Sequence, residues 1–254
     1  MQLEPPKLTR ELGLVEATSL NVANMIGIGP FITIPLFMAA MGGPHALVGW
    51  VIAAVLVLCD GLVWSELGAA LPGSGGTYHY LREIFGGRGW RRLIPFLFVW
   101  QFFVSAALEI ASGYIGAVGY LTYALPDMES TLIKTGIPYP MSCLAALCAV
   151  VITLILFRPI RWLGWVGVVL CAGSLITVLT VIVCGVINFD LSLLTHSPSG
   201  WTLDDASTAG LGAAMLIAIY DYLGYYNICH LGEEVRDPGR TIPRAVIGSV
   251  LIVA

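Results

Sequence analysis

Charged residues are scarce in this sequence. They make up 11% of its 254 residues, whereas soluble domains carry about 25%. Hydrophobic residues make up 57%, so a soluble fold would lack the polar groups needed to cover its surface. The composition therefore excludes an ordinary soluble domain and favours a protein embedded in a lipid bilayer.

The uncharged residues form runs long enough to cross a membrane. The first run, Ala17–Cys59, contains no Asp, Glu, Lys or Arg, and a helix spans a bilayer with about 20 apolar residues. We predict one all-α transmembrane domain over residues 1–254, with spans at about 12–40, 45–71, 93–125, 139–157, 163–189, 208–231 and 242–254. Because the last run is too short to cross, we expect the chain to be the N-terminal piece of a longer protein.

Basic residues are nearly absent from one side of this predicted topology. If the N-terminus is cytoplasmic, all Lys and Arg residues except Lys134 fall in inner segments. Lys and Arg are concentrated in the cytoplasmic loops of membrane proteins. The pattern predicts a cytoplasmic N-terminus in a plasma or bacterial inner membrane.

Motifs of enzymes and metalloproteins are missing. None of the six cysteines belongs to a CxxC pair, and neither an HExxH motif nor a nucleophile–base pair is present. Ile32 stands where a dinucleotide fingerprint requires its third glycine. We therefore predict no disulfide framework or zinc site, no cofactor, no nucleic-acid partner and no enzymatic activity.

The stretch "NMIGIGPFITIP" (24–35) places two glycines and a proline near the middle of the first span. A single Gly or Pro there usually marks a packing kink, but this cluster predicts a discontinuous helix. We expect the N–H groups of Gly27, Ile28 and Gly29 to lack helical partners, which costs several kcal/mol each in hydrocarbon. The N-terminus of the second half-helix would attract an anion such as a carboxylate.

A second interruption is predicted in the sixth span, "AIYDYLGYYNICHLGEE". Asp221 and Gly224 lie near its middle, among four tyrosines at 220, 222, 225 and 226. An interfacial aromatic belt would lie at the membrane surface instead. An ionisable residue at mid-membrane costs about 2.5–3.5 kcal/mol and usually faces a cavity. We predict that the sixth helix is also discontinuous and borders a binding site.

Glu109 is the second carboxylate predicted at mid-membrane, in "SAALEIASGY". Two interpretations stay open. It is a structural hydrogen-bond partner held neutral by burial, or it receives a substrate ammonium group or a proton. Asp60 and Glu66 lie nearer the cytoplasmic end of the second span, and we interpret them as structural.

Three stretches together resemble the amino acid–polyamine–organocation (APC) superfamily of secondary transporters, including its L-type amino acid and polyamine-uptake branches. They are "GIGPF" (27–31), "SELGAALPGSGGTYHYLREIFG" (65–86) and "YDYLGYYNICHLGEEVRDPGRTIPRAV" (220–246). The resemblance implies a leucine-transporter-type fold of two inverted five-helix repeats. This chain would hold the first repeat and the start of the second, with discontinuous first and sixth helices.

The resemblance also implies site residues. The backbone of Gly27, Ile28 and Gly29 would bind a substrate carboxylate. Backbone carbonyls of Tyr220 and Asp221 would bind the amino group, and the Tyr220 ring would close over the substrate. The implied substrate-binding set is Gly27, Ile28, Gly29, Tyr220, Asp221, Gly224 and Tyr225.

Three positions depart from the family pattern. Ile28 replaces a serine, and Leu223 replaces a small residue, which implies a narrower pocket. Ser174 stands where many relatives have a lysine that substitutes for sodium, so Ser174 and Glu109 are the candidates for Na⁺ or H⁺ coupling.

The first hypothesis is a secondary active transporter that moves amino acids by alternating access. A polyamine or organic-cation transporter of the same superfamily is the alternative, because Glu109 and Asp221 together would suit two ammonium groups. If the chain truly ends at Ala254, a membrane protein that binds a ligand without transporting it is the alternative from another class.

Overall fold

The structure, a computed structural model, describes residues 9–27, 29–43, 45–86, 89–134, 136, 138–190 and 205–254, without the side chains of 205–208. Within these residues the regular elements are helices, and no strand is present among them. They are α1 (Leu14–Ile26), α2 (Gly29–Ala40), α3 (Ala46–Ala70), α4 (Thr77–Phe85), α5 (Leu93–Ala124), α6 (Pro126–Ile133), α7 (Pro140–Leu156), α8 (Ile160–Ile187), α9 (Asp205–Tyr222) and α10 (Pro238–Val253), with 3-10 turns at Gly89–Arg92 and Asn227–His230. The predicted all-α class is confirmed.

Three helical stretches among the described residues are long and apolar enough to span a bilayer: α3, α8, and α5 with the 3-10 turn before it. Helices α1 and α2 pass the same test as a pair bent by 47°. Helices α7 and α9 are apolar but shorter. The discontinuous first helix therefore forms as predicted, whereas the full number of spans stays a prediction.

The chain divides into two compact units, one within residues 1–80 and 160–254 and the other within residues 81–159. In the first unit, α3 packs against α9 and α10, α1 packs against α8 and α10, and α2 packs against α9. In the second unit, α5 and α6 pack against α7.

Glycines on α3 allow the close approach of its partners in the first unit. A Cβ atom on Gly49 would lie 3.1 Å from the Ala214 side chain on α9, and one on Gly68 would lie 2.7 Å from Ile242 on α10. Small residues let membrane helices pack with their backbones close together. Helix α3 therefore holds α9 and α10 in fixed positions, and the segment between those two helices carries the candidate site.

Candidate functional site

The first helix breaks between Ile26 and Gly29, and Ile28 lies outside the described residues. The Gly27 N–H donates to the Ala23 carbonyl at 3.1 Å and completes the last turn of α1. The expectation that this N–H lacks a helical partner is wrong, because the helix continues one residue further before it breaks. The N–H groups that a helix leaves unpaired are those of its first turn, which in α2 begins at Gly29.

Helix α9 ends at Tyr222, within the stretch where the sixth helix is predicted to be interrupted. The Leu223 N–H bonds to the Tyr220 carbonyl at 3.1 Å in a tight turn, and Gly224 follows with φ +118°. Only glycine adopts such a backbone conformation without strain. The chain then forms the 3-10 turn Asn227–His230, so the interruption predicted at Asp221 and Gly224 is present.

Asn21 and Asn24 of α1 join the two breaks. Asn21 is fully buried. Its Nδ2 donates to the Tyr225 carbonyl at 2.5 Å, and its Oδ1 accepts the Ile228 N–H at 3.0 Å. Asn24 lies against Gly224, where a Cβ atom would come within 2.4 Å of the Asn24 Nδ2. Backbone groups freed by the second break are therefore satisfied by a side chain of the first helix.

The Asp221 carboxyl lies at the start of α2. Thr33 Oγ1 is 2.5 Å from Asp221 Oδ2 and 3.0 Å from the Gly29 carbonyl. A Cβ atom on Gly29 would lie 3.2 Å from Asp221 Oδ1. The second break thus meets the N-terminus of α2 directly.

Tyr225 connects the same break to α3. Its side chain is buried, and its hydroxyl donates to Asp60 Oδ2, which also accepts the Trp64 indole N–H at 2.9 Å. The Tyr226 ring stacks on Trp64 with the ring centroids 4.6 Å apart. Asp60, interpreted as structural, therefore positions a residue of the candidate site.

Tyr220 and Leu223 lie on the open side of the break. The Tyr220 side chain is 50% exposed and Leu223 is 39% exposed, whereas Asp221 between them is buried. A large ring at the rim is suited to cover a solute held between the two breaks.

Ser174 lies on α8, which packs against α1. A Cβ atom on Gly167 would contact Leu20 of α1, and Cys171 belongs to a buried cluster with Val22 and Ile26. Ser174 follows Cys171 by three residues on the same helix. Its half-buried position is compatible with the coupling role suggested by the resemblance.

Glu109 belongs to the second compact unit. It is exposed on α5, and its backbone carbonyl accepts the Ser112 hydroxyl at 2.7 Å. Both interpretations of its carboxylate stay predictions.

The opposite end of the first unit is closed by a contact that we call the N-terminal clamp, formed by residues 11–12 and 234–236. The Glu11 and Leu12 N–H groups donate to the Glu234 carbonyl at 2.9 and 3.0 Å, and the Arg236 N–H donates to the Leu12 carbonyl at 2.8 Å. The Leu12 and Val235 side chains are buried. Main-chain bonds and apolar packing therefore seal this end.

A family model described as amino acid permease matches residues 12–254. The chain belongs to this family. The match confirms the superfamily and the all-α transporter fold class predicted from the sequence, and it identifies the permease as a multi-pass membrane protein.

Curated relatives of this permease include the large neutral amino acids transporter small subunit 2 of Rattus norvegicus, which is 28% identical over 97% of this chain and 45% of its own length. The serine/threonine exchanger SteT of Bacillus subtilis is 29% identical over 100% of this chain and 54% of its own. The Asc-type amino acid transporter 1 of Mus musculus is 28% identical over 97% and 46%. These names describe transporters and exchangers, not enzymes, and the chain spans about half the length of each.

Proposed function

We propose that this permease is a secondary active transporter that moves amino acids across a cell membrane by alternating access. The observation that carries the proposal is the meeting of two broken helices, α1–α2 and α9, at one polar position. The three relatives are named as transporters or exchangers, which supports the same function.

We call the break the place where the α1–α2 break and the α9 break meet. The two helix ends there have opposite polarity. A helix N-terminus attracts negative charge and a C-terminus attracts positive charge. Helix α2 begins at Gly29 and α9 ends at Tyr222, and Asp221 contacts the start of α2. A zwitterionic amino acid would bind its carboxylate to the first N–H groups of α2 and its ammonium group to the last carbonyls of α9.

Closure at one end and exposure at the other support alternating access. The N-terminal clamp is sealed, whereas Tyr220 is half exposed at the break. We place the N-terminus in the cytoplasm because basic residues are concentrated on that side. On this proposal, the transport cycle opens the clamp while the Tyr220 ring covers the substrate, and Ser174 or Glu109 binds a coupling cation.

The test is uptake of labelled L-serine, L-alanine and L-leucine into vesicles that contain the full-length protein. Gly29→Leu should abolish uptake, because a side chain would grow toward Asp221 Oδ1, 3.2 Å from the Cβ position. Gly212→Leu is the matched control, since Gly212 is exposed on α9 with no atom within 4 Å of its Cβ position.

Unchanged uptake by Gly29→Leu would overturn the binding site. Competition by putrescine, without competition by neutral amino acids, would assign the permease to polyamine transport instead.

A further inference from the structure

The Asp221 carboxyl is enclosed without a full set of hydrogen-bond partners. The residue is 3% exposed, and its Oδ2 contacts Thr33 Oγ1 at 2.5 Å. Its Oδ1 is buried, and no described residue forms a hydrogen bond with it. An ionised carboxylate would hold an unpaired negative oxygen away from water, which is a costly arrangement.

The described helices around Asp221 carry no basic side chain to balance that charge. The helices that pack against α9 are α1, α2 and α3, and these four helices contain no Lys, Arg or His. Their titratable residues are Glu16 on α1, none on α2, Cys59, Asp60 and Glu66 on α3, and Asp205, Tyr220 and Tyr222 on α9. Every group in that set is either neutral or acidic at neutral pH.

Two of these acids, Glu16 and Asp60, bond to other groups. Glu16 accepts the Gly13 N–H at the beginning of α1, and Asp60 accepts the Tyr225 hydroxyl and the Trp64 indole. Glu66 is exposed on α3. The N-terminus of α2 favours an anion mainly through its N–H groups, but Oδ1 accepts none from a described residue.

A count of hydrogens points to a protonated carboxyl. Thr33 Oγ1 makes two contacts of hydrogen-bond length, 2.5 Å to Asp221 Oδ2 and 3.0 Å to the Gly29 carbonyl. A hydroxyl group has one hydrogen to donate and can also accept. If Asp221 donates to Thr33 and Thr33 donates to Gly29, each contact has its own hydrogen. With an ionised Asp221, the two contacts would have to share the single Thr33 hydrogen.

We propose that Asp221 is a proton-binding site that couples transport by this permease to H⁺ movement. The coupling rests on the proposed transport function. When α2 and α9 are packed together, as here, Asp221 holds its proton. When the two helices separate and water enters, the Oδ2–H bond breaks, its electron pair stays on the carboxylate, and the proton passes to water. The ionised carboxylate then returns to the packed state only by taking up a proton.

Infrared difference spectroscopy, in which the spectrum of a variant is subtracted from that of the wild type, tests for the proton on Asp221 independently of transport. The full-length wild-type protein at neutral pH should show the C=O stretching band of a protonated carboxyl group. Asp221→Asn should remove that band, and Glu66→Gln, the matched loss of an exposed carboxyl, should leave it. Thr33→Val should shift the band, because the O–H group loses its acceptor, and this readout remains if Asp221→Asn does not fold.

Uptake into vesicles tests the coupling. With wild-type protein and Glu66→Gln, an acid-outside gradient of one pH unit should raise accumulation of labelled L-serine, L-alanine or L-leucine by up to about tenfold, the factor that corresponds to one pH unit. Asp221→Asn should show no dependence on the gradient.

The outcomes separate the two proposals. The proton site is overturned if Asp221→Asn does not remove the carboxyl band and Thr33→Val does not shift it. Equal gradient dependence in wild type and Asp221→Asn overturns the coupling and returns it to Glu109 or Ser174. If wild type takes up none of the three amino acids, the proposed transport function fails, and the infrared band alone decides whether Asp221 holds a proton.

Discussion

The break and the N-terminal clamp lie in the same compact unit but are held together by different kinds of bond. At the break, the side chains of Asn21, Thr33 and Asp221 bind helix ends or one another. At the clamp, backbone N–H groups bind backbone carbonyls, and the buried side chains are apolar. A ligand can replace a side-chain partner at the break, whereas the clamp has no polar side chain among its buried residues for a ligand to replace. The difference assigns binding to the break and closure to the clamp.

The largest effect is expected at the break, from Asn21→Ala. The substitution leaves the Tyr225 carbonyl and the Ile228 N–H buried without their partner. At about 1–3 kcal/mol for each unsatisfied group, the free energy of unfolding should fall by about 2–6 kcal/mol. Thermal unfolding of the purified protein measures this loss.

Asn188→Ala is the control for that change, because Asn188 is exposed and bonds only within its own helix, to the Cys184 carbonyl. An equal loss in both variants would show that Asn21 does not join the two breaks.

The next largest effect is expected at the clamp, from Leu12→Ala. Truncating a buried leucine costs about 2–5 kcal/mol. Because Leu12 and Cys229 belong to the same buried apolar cluster, the loss of Leu12 packing should also speed the reaction of Cys229 with a thiol reagent. Leu251→Ala, at an exposed position on α10, should change neither quantity. Unchanged labelling of Cys229 would contradict the assignment of closure to the clamp.

A smaller effect is expected from Gly224→Ala at the break. The φ of +118° and the approach of Asn24 to within 2.4 Å of the Cβ position both oppose a side chain. Strain of this kind costs about 1–3 kcal/mol. Gly212→Ala within α9 should instead be neutral or stabilising, since a helical glycine costs roughly 0.5–1 kcal/mol relative to alanine. Equal melting temperatures for the two variants would remove the requirement for glycine at the break.

The smallest effect is expected at the clamp from pH. Burial raises the pKa of Glu234 above its ordinary value of 4.5, and the negative charges of Glu233 and Glu11 raise it further. The folded state therefore favours the protonated form, so the contribution of Glu234 to stability is lost as pH rises through its raised pKa. Glu234→Gln should reduce the fall in melting temperature as pH rises from 4.5 through the raised pKa, while Glu129→Gln on α6 should not. If the melting temperatures of Glu234→Gln and Glu129→Gln depend on pH in the same way, Glu234 is not the origin of the pH dependence.

Much of the fold could be predicted from local sequence. The apolar run that contains α3, with only Asp60 and Glu66 as charged residues, forms a helix over Ala46–Ala70, because a long apolar run is stable in a bilayer as a helix. The two breaks follow from Gly27, Gly29 and Gly224, whose effect on a helix is local.

The pairing across the breaks could not be predicted in the same way. Asn21 and Thr33 are ordinary polar residues in the sequence, and their roles depend on contacts with residues about 200 positions away. The only local signal was the pair of asparagines three apart in an apolar helix, which places both amides on one face. The Gly27 N–H was mispredicted because the last hydrogen bond of a helix depends on its exact terminal geometry.

The most direct test of the central claim is photolabelling of the full-length protein with a diazirine-bearing amino acid, followed by peptide mapping. The account predicts adducts within 27–33 and 220–225 that excess unlabelled amino acid suppresses in wild type and Gly212→Leu and that Gly29→Leu lacks. Suppressible adducts confined to the second compact unit, or adducts equally strong in Gly29→Leu, would contradict the assignment of amino acid binding to the break.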